Sequence, residues 1–434
     1  MNTLFEHVTV VTMNDQAQVL EDAYVLVLDE IIWSVGTKPP KGDFDRVIDG
    51  RGKVMLPGLV NAHTHVPMSL LRGYADGYDL QTWLNDYIFP AEDRLDSRAV
   101  RAGTDVALAE LIACGVTCFA DMYYFCDDII ERTLEAGLSA NIARGITCFD
   151  ESAFDPQTYP PFAEQRALLD RWQGAENGRI LIDACVHGEY TSFPRLWREQ
   201  AAWAKENGLG MHVHLSETKP EQEACLGRWG KTPAQVLDEA GIWDVPAIAA
   251  HCVWLTPEDR KLLAARGVTA VHNPVSNLKL GSGVADVPAL LAEGVNVALG
   301  TDGASSNNNL DLFEEIKLAA ILHKGVQRDL TAVSAYQALE MATARGARAL
   351  RRNAGQVAPG RDADLILVDF NRPGLTPCHD VISNLVYSAR GSDVVLTMAR
   401  GRVLYEAGDW KTIDVPKALA EAADYGAPLV AGKL

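Results

Sequence analysis

Two pairs of histidines in this sequence sit one residue apart: His63 and His65 in LVNAHTH, and His212 and His214 in HVHLSET. On a β-strand, residues two apart point to the same face. Neutral imidazole is a good ligand for zinc and related divalent ions, and carboxylates complete such sets. His63 and His65 can chelate one ion together, while His214 and Asp302 can close the site from elsewhere in the fold. That set leaves a position for water, as a catalytic metal requires. His214 lies nearer the end of its strand than His212, so His214 is taken as the ligand and His212 as a deeper structural residue. Glu217 follows just past the strand. A carboxylate within reach of activated water, yet not spent as a ligand, is placed for general acid–base work.

These residues need a scaffold that gathers distant strand ends. From about 57 to 360, strand-like runs alternate with helix-length amphipathic runs such as SRAVRAGTDVALAELIACG, the signature of a parallel sheet with crossover helices. Strands are predicted near 59–63, 116–121, 140–145, 180–186, 211–215, 247–252, 268–273 and 295–302. They close naturally into a (β/α)8 TIM-like barrel. An open doubly wound sheet would favour a Gly-rich phosphate loop, and neither GxGxxG nor a Walker A motif is present. His63, His65, His187, His214, His251 and Asp302 all fall at strand C-terminal ends, the rim where barrel enzymes place active sites. So many polar groups on one rim are costly to bury without a purpose. Short strands with turn residues occur before 57 and after 360. They predict a small β-sandwich domain built from residues 1–56 and 361–434, flanking a 57–360 barrel.

The 434-residue chain is 48% hydrophobic and 22% charged, the profile of a globular protein. Its formal charge of −19 disfavours nucleic acid and anionic membrane as partners. No apolar run approaches the roughly 20 residues of a membrane-spanning helix, and the N-terminus lacks the pattern of a signal peptide. Eight scattered cysteines without a CxxC pair read as reduced thiols of a cytoplasmic protein.

The ordered set PGLVNAHTHVPMSLLRG, FADMY, HVHLSET, AAHCVWL, HNPVSNLKLGSG and LGTDGASSNNNLDLFEEIKLA resembles the amidohydrolase superfamily. Within it, the set is most similar to the methylthioadenosine/S-adenosylhomocysteine deaminase and chlorohydrolase branch, over nearly the whole chain. The resemblance implies one divalent metal ion, zinc or ferrous iron, on His63, His65, His214 and Asp302. It implies that Glu217 is the proton shuttle, that His251 steadies the attacking oxygen or polarises the leaving group, and that Asp302 also accepts a proton. Glu92 matches a glutamate that holds ribose hydroxyls, suiting a vicinal diol. His187 and Arg144 match residues lining a nucleoside pocket, and Trp83 matches an aromatic near the thioether side of the ligand.

Two departures stand out. VHGEYT after the fourth strand introduces Glu189, expected to add negative charge near the pocket. The segment Cys148–Phe162 contains no arginine where homocysteine-binding relatives place one, which favours a neutral 5′-substituted adenosine. The implied reaction is hydrolytic deamination of an adenine nucleoside to the inosine analogue and ammonia, by an enzyme of oligomeric habit. The alternatives are a related hydrolase of a ribose-free heterocycle, such as a guanine or pterin deaminase or a triazine hydrolase, and a non-catalytic scaffold of the same fold.

Overall fold

A computed structural model describes residues 2–432. Strands β1 (Asn2–Val11), β2 (Val19–Leu28), β3 (Ile31–Gly36), β4 (Arg46–Asp49) and β5 (Lys53–Pro57) open the chain. Strands β6 (Leu59–Thr64), β7 (Val116–Tyr123), β8 (Ser139–Arg144), β9 (Ile180–Val186), β10 (Met211–Leu215), β11 (Ala247–His251), β12 (Thr269–His272) and β13 (Asn296–Leu299) follow. These eight form one parallel sheet in sequence order, each strand beside its predecessor. Every residue of β6, β7, β10, β11 and β12 is buried, as expected of strands covered by helices outside and by side chains within. The sequential order decides for the barrel over the doubly wound alternative.

The seam between β13 and β6 is closed with few bonds. The Asp302 N–H donates to the His63 carbonyl at 3.0 Å. Asn61 brackets Thr301, accepting from its N–H at 3.0 Å and donating to its hydroxyl at 2.7 Å. A Cβ on Gly300 would stand 2.6 Å from Asn273 Oδ1 and 2.8 Å from the His63 carbonyl, so the approach of the two strand ends requires glycine.

Strands β14 (Leu365–Asp369), β15 (Val394–Ala399), β16 (Arg402–Glu406) and β17 (Asp409–Trp410) return to the first sheet. It is a separate mixed sheet of nine strands, in which β5 and β14 pair antiparallel and so join the two ends of the chain. It has its own apolar core around Phe5, Val25, Ile32, Met55, Leu365 and Met398. Two helices of the C-terminal stretch, Val381–Tyr387 and Val415–Val430, pack instead on barrel helices, the second along Ser97–Ala113. Their apolar faces found a partner that strand patterning could not disclose.

Candidate active site

The strand ends turn sharply where the site begins. Ser216, His251 and Asp302 have φ of 49°, 75° and 61°, a left-handed conformation that costs of order 1–3 kcal/mol for a residue with a Cβ. The surroundings hold each in place. Glu221 accepts from the N–H groups of Ser216 and Glu217 at 2.8 and 2.7 Å, which fixes the turn after β10 and aims Glu217 inward.

His63, His65 and His214 converge, as do His63, His251 and Asp302. Asp302 Oδ1 lies 3.3 Å from His63 Nε2 and 3.2 Å from His65 Nε2, and His214 Nε2 lies 3.3 Å from His65 Nε2. The outer nitrogen of each ring is tied down: His65 Nδ1 donates to the Met122 carbonyl at 2.6 Å, His214 Nδ1 to the His187 carbonyl at 2.8 Å, and His251 Nδ1 to Asn277 Oδ1 at 2.9 Å. His63 Nδ1 shares a 2.8 Å hydrogen bond with His212 Nε2, so His212 stands behind His63 rather than in the cluster. Such outer bonds fix tautomer and ring orientation in metal sites. His63 Nε2 is buried without a hydrogen bond. An orphaned imidazole nitrogen facing other ring nitrogens and a carboxylate fits a divalent cation.

The electrostatics put His63, His214 and Asp302 in the form a cation binds, and His65 in the protonated form. Burial pulls His63 down to about 4. Burial, with the neighbouring imidazoles, holds His214 well below its usual range. Burial opposes protonation of His65 too, but the hydrogen bond and charge of Asp302 prevail and hold it at about 9. Burial opposes ionisation of Asp302, yet the neighbouring His63 and His65 rings keep it well below the usual carboxylate range. The carboxylate of Asp302 thus sits among imidazoles in a cation-seeking arrangement.

Glu217 Oε2 lies 3.7 Å from His251 Nε2, and its Oε1 accepts from Ser282 Oγ at 3.0 Å. Burial raises its pKa, the charge of Asp302 adds to the rise, and His251 and Ser282 oppose it. A carboxylate so shifted holds a proton more readily than a free one, which suits it to passing one on.

These groups line a cavity that, with its solvent-open mouth included, spans about 610 Å³. His65, His214, Glu217, His251 and Asp302 form one end, and Trp83, Glu92, Tyr123, His187 and Tyr190 form other parts of the wall. Trp83 comes from an irregular helical segment, Trp83–Ile88, and is both cavity wall and core. Burial drives Glu92 up to about 7, with the nearby Tyr123 hydroxyl opposing the rise. Burial drives His187 down to about 3, so it is neutral at physiological pH.

Two expected residues stand outside the cavity wall. Arg144 lies one layer out, in a cleft that shares Phe89, Glu92 and Tyr124 with the cavity. Its Nε donates to Glu164 at 2.5 Å and its guanidinium stacks 4.9 Å above Tyr124, because those partners compete for it. Glu189 adds no free charge to the pocket. It is buried and accepts from Arg228 Nη2 at 2.6 Å and Trp229 Nε1 at 2.9 Å, clamping the loop of His187 and Tyr190 to the helix Lys219–Trp229.

Residue patterning missed Tyr123 and Tyr190 in the wall, Ser276, Ser282 and Ser306 around the carboxylates, and Asn277 behind His251. The signal for Tyr123 was its place at the end of β7. For Ser276, Asn277 and Ser282 it was the polar run in HNPVSNLKLGSG.

Comparison with known proteins places this geometry. Residues 54–404 match the model of the amidohydrolase family. A 5-methylthioadenosine/S-adenosylhomocysteine deaminase of Caldanaerobacter subterraneus subsp. tengcongensis is 42% identical, over all of both chains. A 5′-deoxyadenosine deaminase of Methanosarcina mazei is 41% identical, over 99% of this chain and 98% of its own. The crystal structure of an adenosine deaminase from Xanthomonas campestris with bound zinc superposes with a TM-score of 0.93 at 34% identity, covering 98% of both chains. The rim of histidines and carboxylates, the barrel that gathers it and these full-length likenesses agree that the chain belongs to the amidohydrolase family.

Proposed function

We propose that the protein is a metal-dependent deaminase of adenine nucleosides carrying a small or apolar 5′ group, yielding the inosine analogue and ammonia. The observation that carries this reading is Glu92, a carboxylate in the wall of the same cavity as Glu217 and His251. A carboxylate there can accept from both hydroxyls of a ribose, for which a ribose-free heterocycle has no counterpart. The names of the relatives point the same way.

His63, His65, His214 and Asp302 would hold the ion, and a zinc-bound relative supports zinc. When bound, a divalent ion supplies Lewis-acid activation that makes water nucleophilic near neutral pH. Glu217 takes a proton from the attacking water and delivers it to N1 of the purine, which makes C6 electrophilic. His251 and Asp302 orient the attacking oxygen towards C6. Asp302 accepts the remaining proton of the added hydroxyl and passes it to the exocyclic amine, so the C6 carbonyl forms as ammonia leaves. His187, kept neutral by burial, can hydrogen-bond the base without adding charge.

The apolar wall of Trp83, Leu84, Ile88 and Phe89, and the absence of an arginine from that lining, favour methylthio or deoxy groups over a homocysteine carboxylate. Arg144, engaged by Glu164, would meet only a longer substituent. No described helix is long and apolar enough to cross a membrane. All eight cysteines are free, which supports the cytoplasm. An oligomer without nucleic-acid partners completes the proposal. The test is a steady-state screen with ammonia as readout, covering adenosine, methylthioadenosine, 5′-deoxyadenosine, S-adenosylhomocysteine, guanine and a chlorotriazine. Turnover confined to the ribose-free compounds would overturn it.

A further inference from the structure

The polar run after β12 reaches the site from behind. Ser276 and Asn277 lie on the helix Pro274–Lys279, and Ser282 on the turn that follows it. All three are buried, and none lines the catalytic cavity. Each bonds a different member of the site. Ser276 Oγ donates to Asp302 Oδ2 at 2.6 Å, Asn277 Oδ1 accepts from His251 Nδ1 at 2.9 Å, and Ser282 Oγ donates to Glu217 Oε1 at 3.0 Å.

The stretch is also closed on itself. The N–H groups of Ser282 and Gly283 donate to the Asn277 carbonyl at 2.8 and 3.4 Å. Trp254 Nε1, from the segment just after His251, donates to the Ser282 carbonyl at 2.7 Å. Gly283 has φ of 125°, and a Cβ there would stand 3.0 Å from Val253 Cγ1, so the turn lies against that same segment. These contacts tie Asn277 and Ser282 to one another and to the segment after His251.

The arrangement has a chemical consequence. With Oε1 of Glu217 anchored by Ser282, Oε2 is the oxygen left to exchange protons. With Nδ1 of His251 donating to Asn277, Nε2 is the nitrogen presented to the site. We infer that Asn277 and Ser282 are positioning residues, and that the loop joining them sets the distance and relative orientation of Glu217 and His251. Proton transfer tolerates little misplacement: a shift of about 1 Å can cost on the order of 10²-fold in rate.

The kinetic test rests on the deaminase reading, and the structural test does not. Ser282→Ala in the metal-loaded enzyme should lower kcat about tenfold, the size expected of one lost charge-assisted hydrogen bond. KM and metal content should be unchanged, and Ser282→Thr, which keeps the hydroxyl, should recover most of the rate. In a Glu217→Gln background the same change should cost nothing further, because it acts through Glu217. Trp254→Phe, which loosens the loop from outside the site, should lower kcat about twofold to threefold without moving KM. A crystal structure of Ser282→Ala should show the Glu217 carboxylate turned away from its place beside His251. The inference fails if kcat is unchanged, if the Glu217→Gln enzyme loses as much as the parent, or if the carboxylate stays where it was. Absence of deamination with every nucleoside would sink the functional reading, and the position of Glu217 in the crystal would still decide this one.

Discussion

Asp302 closes the barrel and joins the cation-seeking cluster through His63. Its N–H donates to the His63 carbonyl at 3.0 Å, and its Oδ1 stands 3.3 Å from His63 Nε2. The main-chain contact shuts the last gap in the sheet, and the side-chain contact places a charge among imidazoles. The two roles can be separated by mutation. Asp302→Asn keeps the backbone bond and removes the charge. It is expected to bind metal more than about tenfold more weakly than the parent while retaining its far-ultraviolet circular dichroism. Full metal occupancy by elemental analysis would contradict the ligand assignment.

Glu217→Gln should keep fold, metal and KM, and should lose on the order of 10²–10⁴ in kcat, the usual worth of a positioned acid–base group. Loss of adenine absorbance under single-turnover and steady-state conditions provides the measurement. Turnover close to that of the parent would remove Glu217 from the mechanism.

Glu92→Gln should raise KM for ribonucleosides about tenfold or more, the cost of leaving hydroxyl donors poorly paired. The penalty should shrink with 2′,3′-dideoxyadenosine. Equal penalties on both substrates would argue against a diol contact.

The same residue makes a pH prediction. Burial raises Glu92 to about 7, so the folded ligand-free protein binds this proton more tightly than the unfolded chain does. Its contribution to stability is present below the ordinary glutamate range and is lost as pH rises through 7. Relative to the parent, ligand-free Glu92→Gln should therefore gain in melting temperature between pH 5 and 8. The opposite trend would show that Glu92 is ionised and well paired.

Glu189→Ala leaves the Arg228 guanidinium and the Trp229 indole N–H without their acceptor. Arg228 is half exposed and water can replace part of what it loses. A destabilisation of about 1–3 kcal/mol in urea unfolding is expected, with substrate preference unchanged. A switch in preference towards cationic 5′ groups in the parent enzyme would instead restore Glu189 to the pocket.

The sequence by itself marked the eight barrel strands to within a few residues, set His63 beside His65 on one strand face, and set the order of the barrel. These follow from local rules: side chains alternate along a strand, and buried parallel strands read as apolar runs whose polar residues collect at one end. The tertiary structure decided where the loop side chains went. Glu189 turned to Arg228, Arg144 turned to Glu164 and Tyr124, and Asn277 and Ser282 turned to His251 and Glu217. The C-terminal helix settled on the barrel for the same reason. A loop side chain takes the direction its partners dictate, and those partners come from other strands and helices, so no spacing along the chain can specify them.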